Sequence, residues 1–128
     1  MNTRHLMQAS AWSLGAAGVG ASFLPVEILA ALGTPGGGLP PTFVQLLGAL
    51  WLAFAMLNWM ARGSPMGGIY GRPIVVANLT HFAIGAMTLA KLVFAGTVDV
   101  VVITAATVYA AFAIAFGTVL FISPRRSP

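Results

Sequence analysis

Apolar residues fill this chain in four long stretches, and glycine, proline and the few charged residues collect in the short segments between them. Each stretch approaches the roughly 20 residues needed to cross a hydrocarbon layer about 30 Å thick. The pattern predicts helices over Leu6–Leu24, Thr42–Ala61, Pro73–Phe94 and Val100–Ile122. Pro25 suits the start of a further short helix, over residues 26–32. Glu27 falls near that helix's positive end, and Ile28, Leu29 and Leu32 are placed along the membrane interface. The run from Gly33 to Pro41 cannot continue a helix. Residues 62–73 form a second loop, Thr97-Val98-Asp99 makes a tight third connection, and Asp99 is placed to cap the last helix.

Small and hydrogen-bonding residues recur at helical spacing within each span. Ala11, Gly15, Gly18 and Ser22 share a face of the first, and Gly48, Ala55 and Asn58 one of the second. Asn78, His81, Gly85 and Thr88 align in the third, as do Thr104, Thr107, Ala111, Ala115 and Thr118 in the fourth. Helices in lipid associate without a hydrophobic drive, through close approach at small residues and through hydrogen bonds. These stripes therefore predict an all-α bundle of four transmembrane helices, with Gly15, Gly18, Gly48 and Gly85 as packing positions.

Composition agrees with lipid as the solvent. Of 128 residues, 59% are hydrophobic and 6% charged, too few polar groups to cover a soluble globule. Residues 1–128 are read as a single transmembrane domain. With no cysteine, disulfides, thiolate zinc sites and iron–sulfur ligation are excluded. The net charge of +4 is spread along the chain without a patch, so no nucleic-acid partner is expected. The basic residues instead report orientation, since loops rich in Lys and Arg stay cytoplasmic. Placing both termini inside puts Arg4, Arg62, Arg72, Arg125 and Arg126 in the cytoplasm, with Lys91, Glu27 and Asp99 opposite. The apolar run after Arg4, ending in Val19-Gly20-Ala21-Ser22, also has the form of a cleavable signal peptide. Its length and Trp12 favour a retained helix.

A rise of about 1.5 Å per residue converts position into depth. Gln8 and Asn58 lie about 6 Å inside Arg4 and Arg62, and Asn78 and His81 about 9 and 13 Å inside Arg72. If all four face inward they form one polar cluster in the inner half of the bilayer, with Thr118 at similar depth. Such groups pair with one another or line a cavity. Interhelical amide bonding accounts for Asn58 and Asn78, whereas His81 is the candidate ligand or proton-handling group.

His5 and His81 differ in depth and cannot clamp one haem within a chain. The sequence requires no cofactor, though a single axial imidazole from His81 to haem or to the magnesium of a chlorophyll fits the glycine gaps. Glu27 and Asp99 both sit at the outer boundary, which disfavours proton-coupled export. No acid, thiol or metal-ligand constellation supports hydrolysis or transfer, so no enzyme and no metal site is expected. The stretch from Gly67 to Pro73 offers backbone amides, Arg72 and Tyr70 to a lipid phosphate at the start of the third helix. Alternatively it is an ordinary positive-inside loop, with Tyr70 and Trp59 as interfacial anchors.

From Asn58 to His81, within LNWMARGSPMGGIYGRPIVVANLTHF, the chain resembles small uncharacterised bacterial four-helix membrane proteins. The resemblance implies a bacterial inner-membrane location and transfers no catalytic residue. Taken together, these features predict an accessory or structural subunit beside a larger membrane assembly, respiratory or photosynthetic. Its expected partners are lipids and other membrane subunits or further copies of itself. The alternative is a small-molecule, pigment or haem-binding bundle, or a minimal transporter, centred on His81, Asn78 and Asn58.

Overall fold

A computed structural model describes residues 2–34, 37–96 and 99–122. Pro35, Gly36, Thr97, Val98, Arg125 and Arg126, which enter the loop and orientation expectations above, lie outside the described residues. Five helices occur in the order α1 (Thr3–Phe23), α2 (Pro25–Ala31), α3 (Leu39–Ala61), α4 (Gly71–Phe94) and α5 (Val100–Ile122). No strand is present among the described residues. They fall into two compact units, Asn2–Gly63 and Ser64–Pro128.

In the first unit α1 begins three residues earlier than expected, because the Asn2 side chain accepts a hydrogen bond from the Arg4 amide at 3.1 Å. It ends where the Leu24 amide closes on the Gly20 carbonyl and Pro25 opens α2, whose axis turns 98° from that of α1. Antiparallel to α1, α3 packs along its length: Ser10 meets Asn58, Gly15 meets Ala55, and Gly18 and Ser22 meet Gly48. The buried residues of α1 are Leu6, Met7, Ser10, Ala11, Leu14, Gly18 and Ala21, a largely heptad-like spacing that includes Ala11 and Gly18 of the expected stripe, with Gly15 and Ser22 half-buried. Closest approach comes at Gly18 and Gly48. A β-carbon on Gly18 would lie 2.9 Å from the Leu52 amide nitrogen, and one on Gly48 2.7 Å from that of Ser22.

In the second unit α4 and α5 form another antiparallel pair. Pro73 falls inside the first turn of α4, where its missing amide hydrogen leaves no helical bond unmade. α4 closes through the Ala95 amide to Lys91 O and the Gly96 amide to Val93 O, with Gly96 in the left-handed region at φ 97°. As expected, Asp99 caps α5: its Oδ1 accepts from the amides of Val101 at 2.8 Å and Val102 at 3.3 Å.

The packed face of α5 differs from expectation. Thr104, Thr107 and Ala111 are exposed. Against α4 stand Tyr109, Phe112 and Phe116, and Val119 is buried on the same face. The physical reason is volume. Gly85 on α4 leaves room that the Tyr109 ring occupies, so large side chains of α5 fill the space beside a small one on α4. Thr88, expected on the same inward stripe of α4, is also exposed, and its hydroxyl donates to Ile84 O at 2.9 Å.

α3, α4 and α5 are each long and apolar enough to cross a membrane, with mean hydropathies of 1.6, 1.5 and 2.2 over their best windows. This is a membrane protein. α1 reaches the same standard only together with α2. At 21 residues it is about 31 Å long and not short of a bilayer, but Arg4, His5, Gln8, Ser10 and Ser13 dilute its first half.

Candidate functional site

Of the polar residues picked out by depth, Gln8 and Asn58 belong to the first unit and Asn78 and His81 to the second. In the first, Asn58 is fully buried on α3 and its Nδ2 donates to Ser10 Oγ at 2.9 Å; the Ser10 hydroxyl donates in turn to Met7 O at 3.0 Å. Two helices are thus joined by a side-chain bond that ends on a backbone carbonyl. Gln8 is half-buried on α1, one turn before Trp12. Ser10, the partner of Asn58, lies one position from Ala11 and so falls outside the expected small-residue stripe. Its buried neighbours Met7 and Leu14, three residues before and four after, carry the signal that would have found it. At the other end of the pair, Gln45 Nε2 donates to Ser22 O at 3.4 Å.

For this pair a double-mutant cycle is expected to read a coupling of about 0.6–2 kcal/mol. Ser10→Ala and Asn58→Ala would each destabilise the protein in a detergent unfolding titration, and their combination would cost less than the sum of the two. Strict additivity would mean that the contact carries no energy.

In the second unit His81 and Asn78 lie on α4. Asn78 is fully buried, and its Nδ2 donates to Ile74 O at 2.9 Å, one turn back along its own helix. His81 is half-buried, with its Nε2 3.2 Å from the Tyr109 hydroxyl of α5. A third ring, Phe82, packs against both partners: the imidazole centroid is 5.1 Å from Phe82 and 5.3 Å from Tyr109, and Phe82 and Tyr109 are 5.2 Å apart. Phe82 continues the cluster onto Phe112 at 4.8 Å and Phe116 at 5.8 Å, both stacked. The nitrogen that an axial ligand would turn toward a macrocycle is therefore engaged by a phenol. Tyr109 carries this site with His81 and was absent from the sequence expectation; its spacing with Phe112 and Phe116, i, i+3 and i+7, is the legible signal.

Gly15, Gly18, Gly48 and Gly85 all lie at helix contacts. The loop before α4 uses its own amides: Gly68 N donates to Pro65 O, and Gly71 N and Arg72 N both donate to Gly68 O. Three of the amides expected to face a lipid phosphate thus close the loop upon itself. Tyr70 is 86% exposed, and Arg72 is exposed beside it. Among the described residues there is no group of three or more His, Cys, Asp or Glu side chains arranged to hold a metal ion.

No protein-family model, curated protein or solved structure matches this chain.

Proposed function

We propose that the chain is an accessory subunit of a larger complex in a bacterial inner membrane, crossing the bilayer four times with both termini in the cytoplasm and acting as one transmembrane domain without catalytic activity. The observation that carries this reading is the outer face of α5, where Thr104, Thr107 and Ala111 are exposed. Small residues at i, i+3 and i+7 are what a neighbouring membrane helix uses for close approach. The Thr107 hydroxyl is already bonded to Ile103 O at 2.9 Å, so this face offers shape and presents no unmet polar demand from that residue. Internal pairing supports the same reading. Among the described residues no buried side-chain nitrogen or oxygen lacks a partner, and the exterior carries large apolar side chains such as Phe94, Phe121 and Ile122.

The four-span topology follows from counting α1 with α2 as a bent fourth crossing, and the orientation from the positive-inside rule. Purification in mild detergent followed by mass spectrometry tests the function. A larger membrane assembly is expected to accompany the wild-type chain and to be lost, by about tenfold or more, with Thr107→Phe, since each 1.4 kcal/mol of lost packing is a factor of ten. A chain that elutes alone, and whose deletion alters no larger complex, overturns the reading.

A further inference from the structure

The α1–α3 pair carries an open groove of about 570 Å³ lined by the small residues Ala11, Gly15 and Ala55 and the large ones Trp12, Met56 and Trp59. That volume lies within the roughly 300–1,000 Å³ typical of small-molecule clefts. Among its described lining residues the indole N–H groups of the two tryptophans are the only polar side-chain groups. Trp12 and Trp59 meet edge to face at 5.9 Å. Arg62 stacks on the second of them: its guanidinium carbon lies 4.0 Å from the centre of the Trp59 ring, and its Nη1 donates to Trp59 O. The antiparallel register brings the first turn of α1, with Arg4, to the same end at which α3 finishes.

An apolar trough with a cation stacked on one of its lining tryptophans matches a molecule with a hydrocarbon tail and a negative head. We propose that this groove is a binding site for an anionic phospholipid, with one acyl chain along Ala11, Gly15 and Ala55 and the phosphate on Arg62. Along α1 the trough runs from Ala11 to Val19, about 12 Å. By the same rise the backbone of Trp59 lies about 4.5 Å inside Arg62, near the level where tryptophan settles between hydrocarbon and headgroups, and that of Trp12 about 12 Å inside Arg4. Stacking on Trp59 holds the guanidinium beside a residue of the groove lining and leaves its remaining N–H donors for phosphate oxygens.

Charge distinguishes the lipid from a second copy of this chain. The acids available to a copy are Glu27 and Asp99. Glu27 sits on α2, at the opposite end of the α1–α3 pair from Arg62, and the topology proposed above puts Asp99 on the far side of the bilayer from Arg62, so a parallel copy laid along the groove brings neither acid to the guanidinium.

The proposal rests on the transmembrane placement of α1 and α3. Its test uses the full chain reconstituted in phosphatidylcholine vesicles, with Trp51→Phe so that emission comes from Trp12 and Trp59. Phosphatidylglycerol brominated on its acyl chains is expected to quench that emission at about one fifth of the mole fraction needed by brominated phosphatidylcholine. Fivefold is the factor corresponding to one basic residue's attraction to an anionic membrane surface. Arg62→Gln removes the preference and leaves the residual quenching of the zwitterionic lipid. Ala16→Phe, an exposed position on the groove lining, fills the trough and reduces quenching by both lipids while helix content stays unchanged. Equal quenching by the two lipids in a chain that resists alkaline carbonate extraction overturns the lipid site and leaves the transmembrane reading standing. Quenching by neither lipid in such a chain assigns the groove to a protein helix and also overturns the site. Release of the chain by carbonate overturns both readings.

Discussion

Phe82→Ala is expected to destabilise the α4–α5 pair by about 2–4 kcal/mol, about 1 kcal/mol below the roughly 3–5 kcal/mol of Phe→Ala in water-soluble cores because lipid also solvates a displaced phenyl ring. Phe82 is 1% exposed and touches four aromatic rings, those of His81, Tyr109, Phe112 and Phe116. Aromatic pairs contribute about 0.5–1.5 kcal/mol each beyond the area they bury, and the vacated space faces rings too rigid to collapse into it. A detergent unfolding titration followed by near-ultraviolet circular dichroism would read both the lower midpoint and the lost packing of Tyr109. Phe82→Leu should recover about half of the loss, because it restores volume without the ring. If Phe82→Ala shifts the midpoint by less than about 0.5 kcal/mol, the size expected of an ordinary surface change, the cluster is not the core of this unit.

The second large effect belongs to Gly48. A methyl group there would press on the Ser22 amide nitrogen at 2.7 Å and on the Ala21 carbonyl carbon at 3.0 Å. These are backbone atoms of α1 and cannot swing aside, so the two helices must part. Gly48→Ala should cost about 1–3 kcal/mol, the usual penalty of overpacking, and Gly48→Leu should open the α1–α3 pair. The absence of native cysteine makes the outcome easy to read. A β-carbon on Gly15 lies 3.6 Å from that of Ala55, inside the roughly 3.5–4.5 Å that a disulfide requires. Gly15→Cys with Ala55→Cys should therefore crosslink on mild oxidation, and adding Gly48→Leu should abolish the crosslink. Persistent crosslinking would show that contact at Gly48 does not set the helix spacing.

Helix positions were legible because long apolar runs and prolines are strong one-dimensional signals. Val100–Ile122 and the ends at Ala61 and Phe94 coincide with the expected ones, whereas the start of α1 depended on a side-chain cap at Asn2. Glycine positions on α1, α3 and α4 were legible for the same reason that they matter, since a missing side chain at helical spacing marks close approach. The inward face of α5 was not. Its small-residue and aromatic stripes both repeat at helical spacing, and only the partner surface, with Gly85 opposite Tyr109, selects between them. Depth likewise ranked Asn58, Asn78 and His81 among the informative side chains, but depth fixes height and leaves azimuth open. Ser10 and Tyr109, the hydrogen-bonding neighbours of Asn58 and His81, became apparent only once the helices were paired.

Each antiparallel pair contains close contacts and side-chain bonds of its own. During synthesis α1, α2 and α3 emerge before α4 and α5, so the Ser10–Asn58 bond and the Gly18–Gly48 contact can form while the C-terminal half is still on the ribosome. Early nascent chains truncated shortly after Gly63 would then already hold a protease-resistant hairpin.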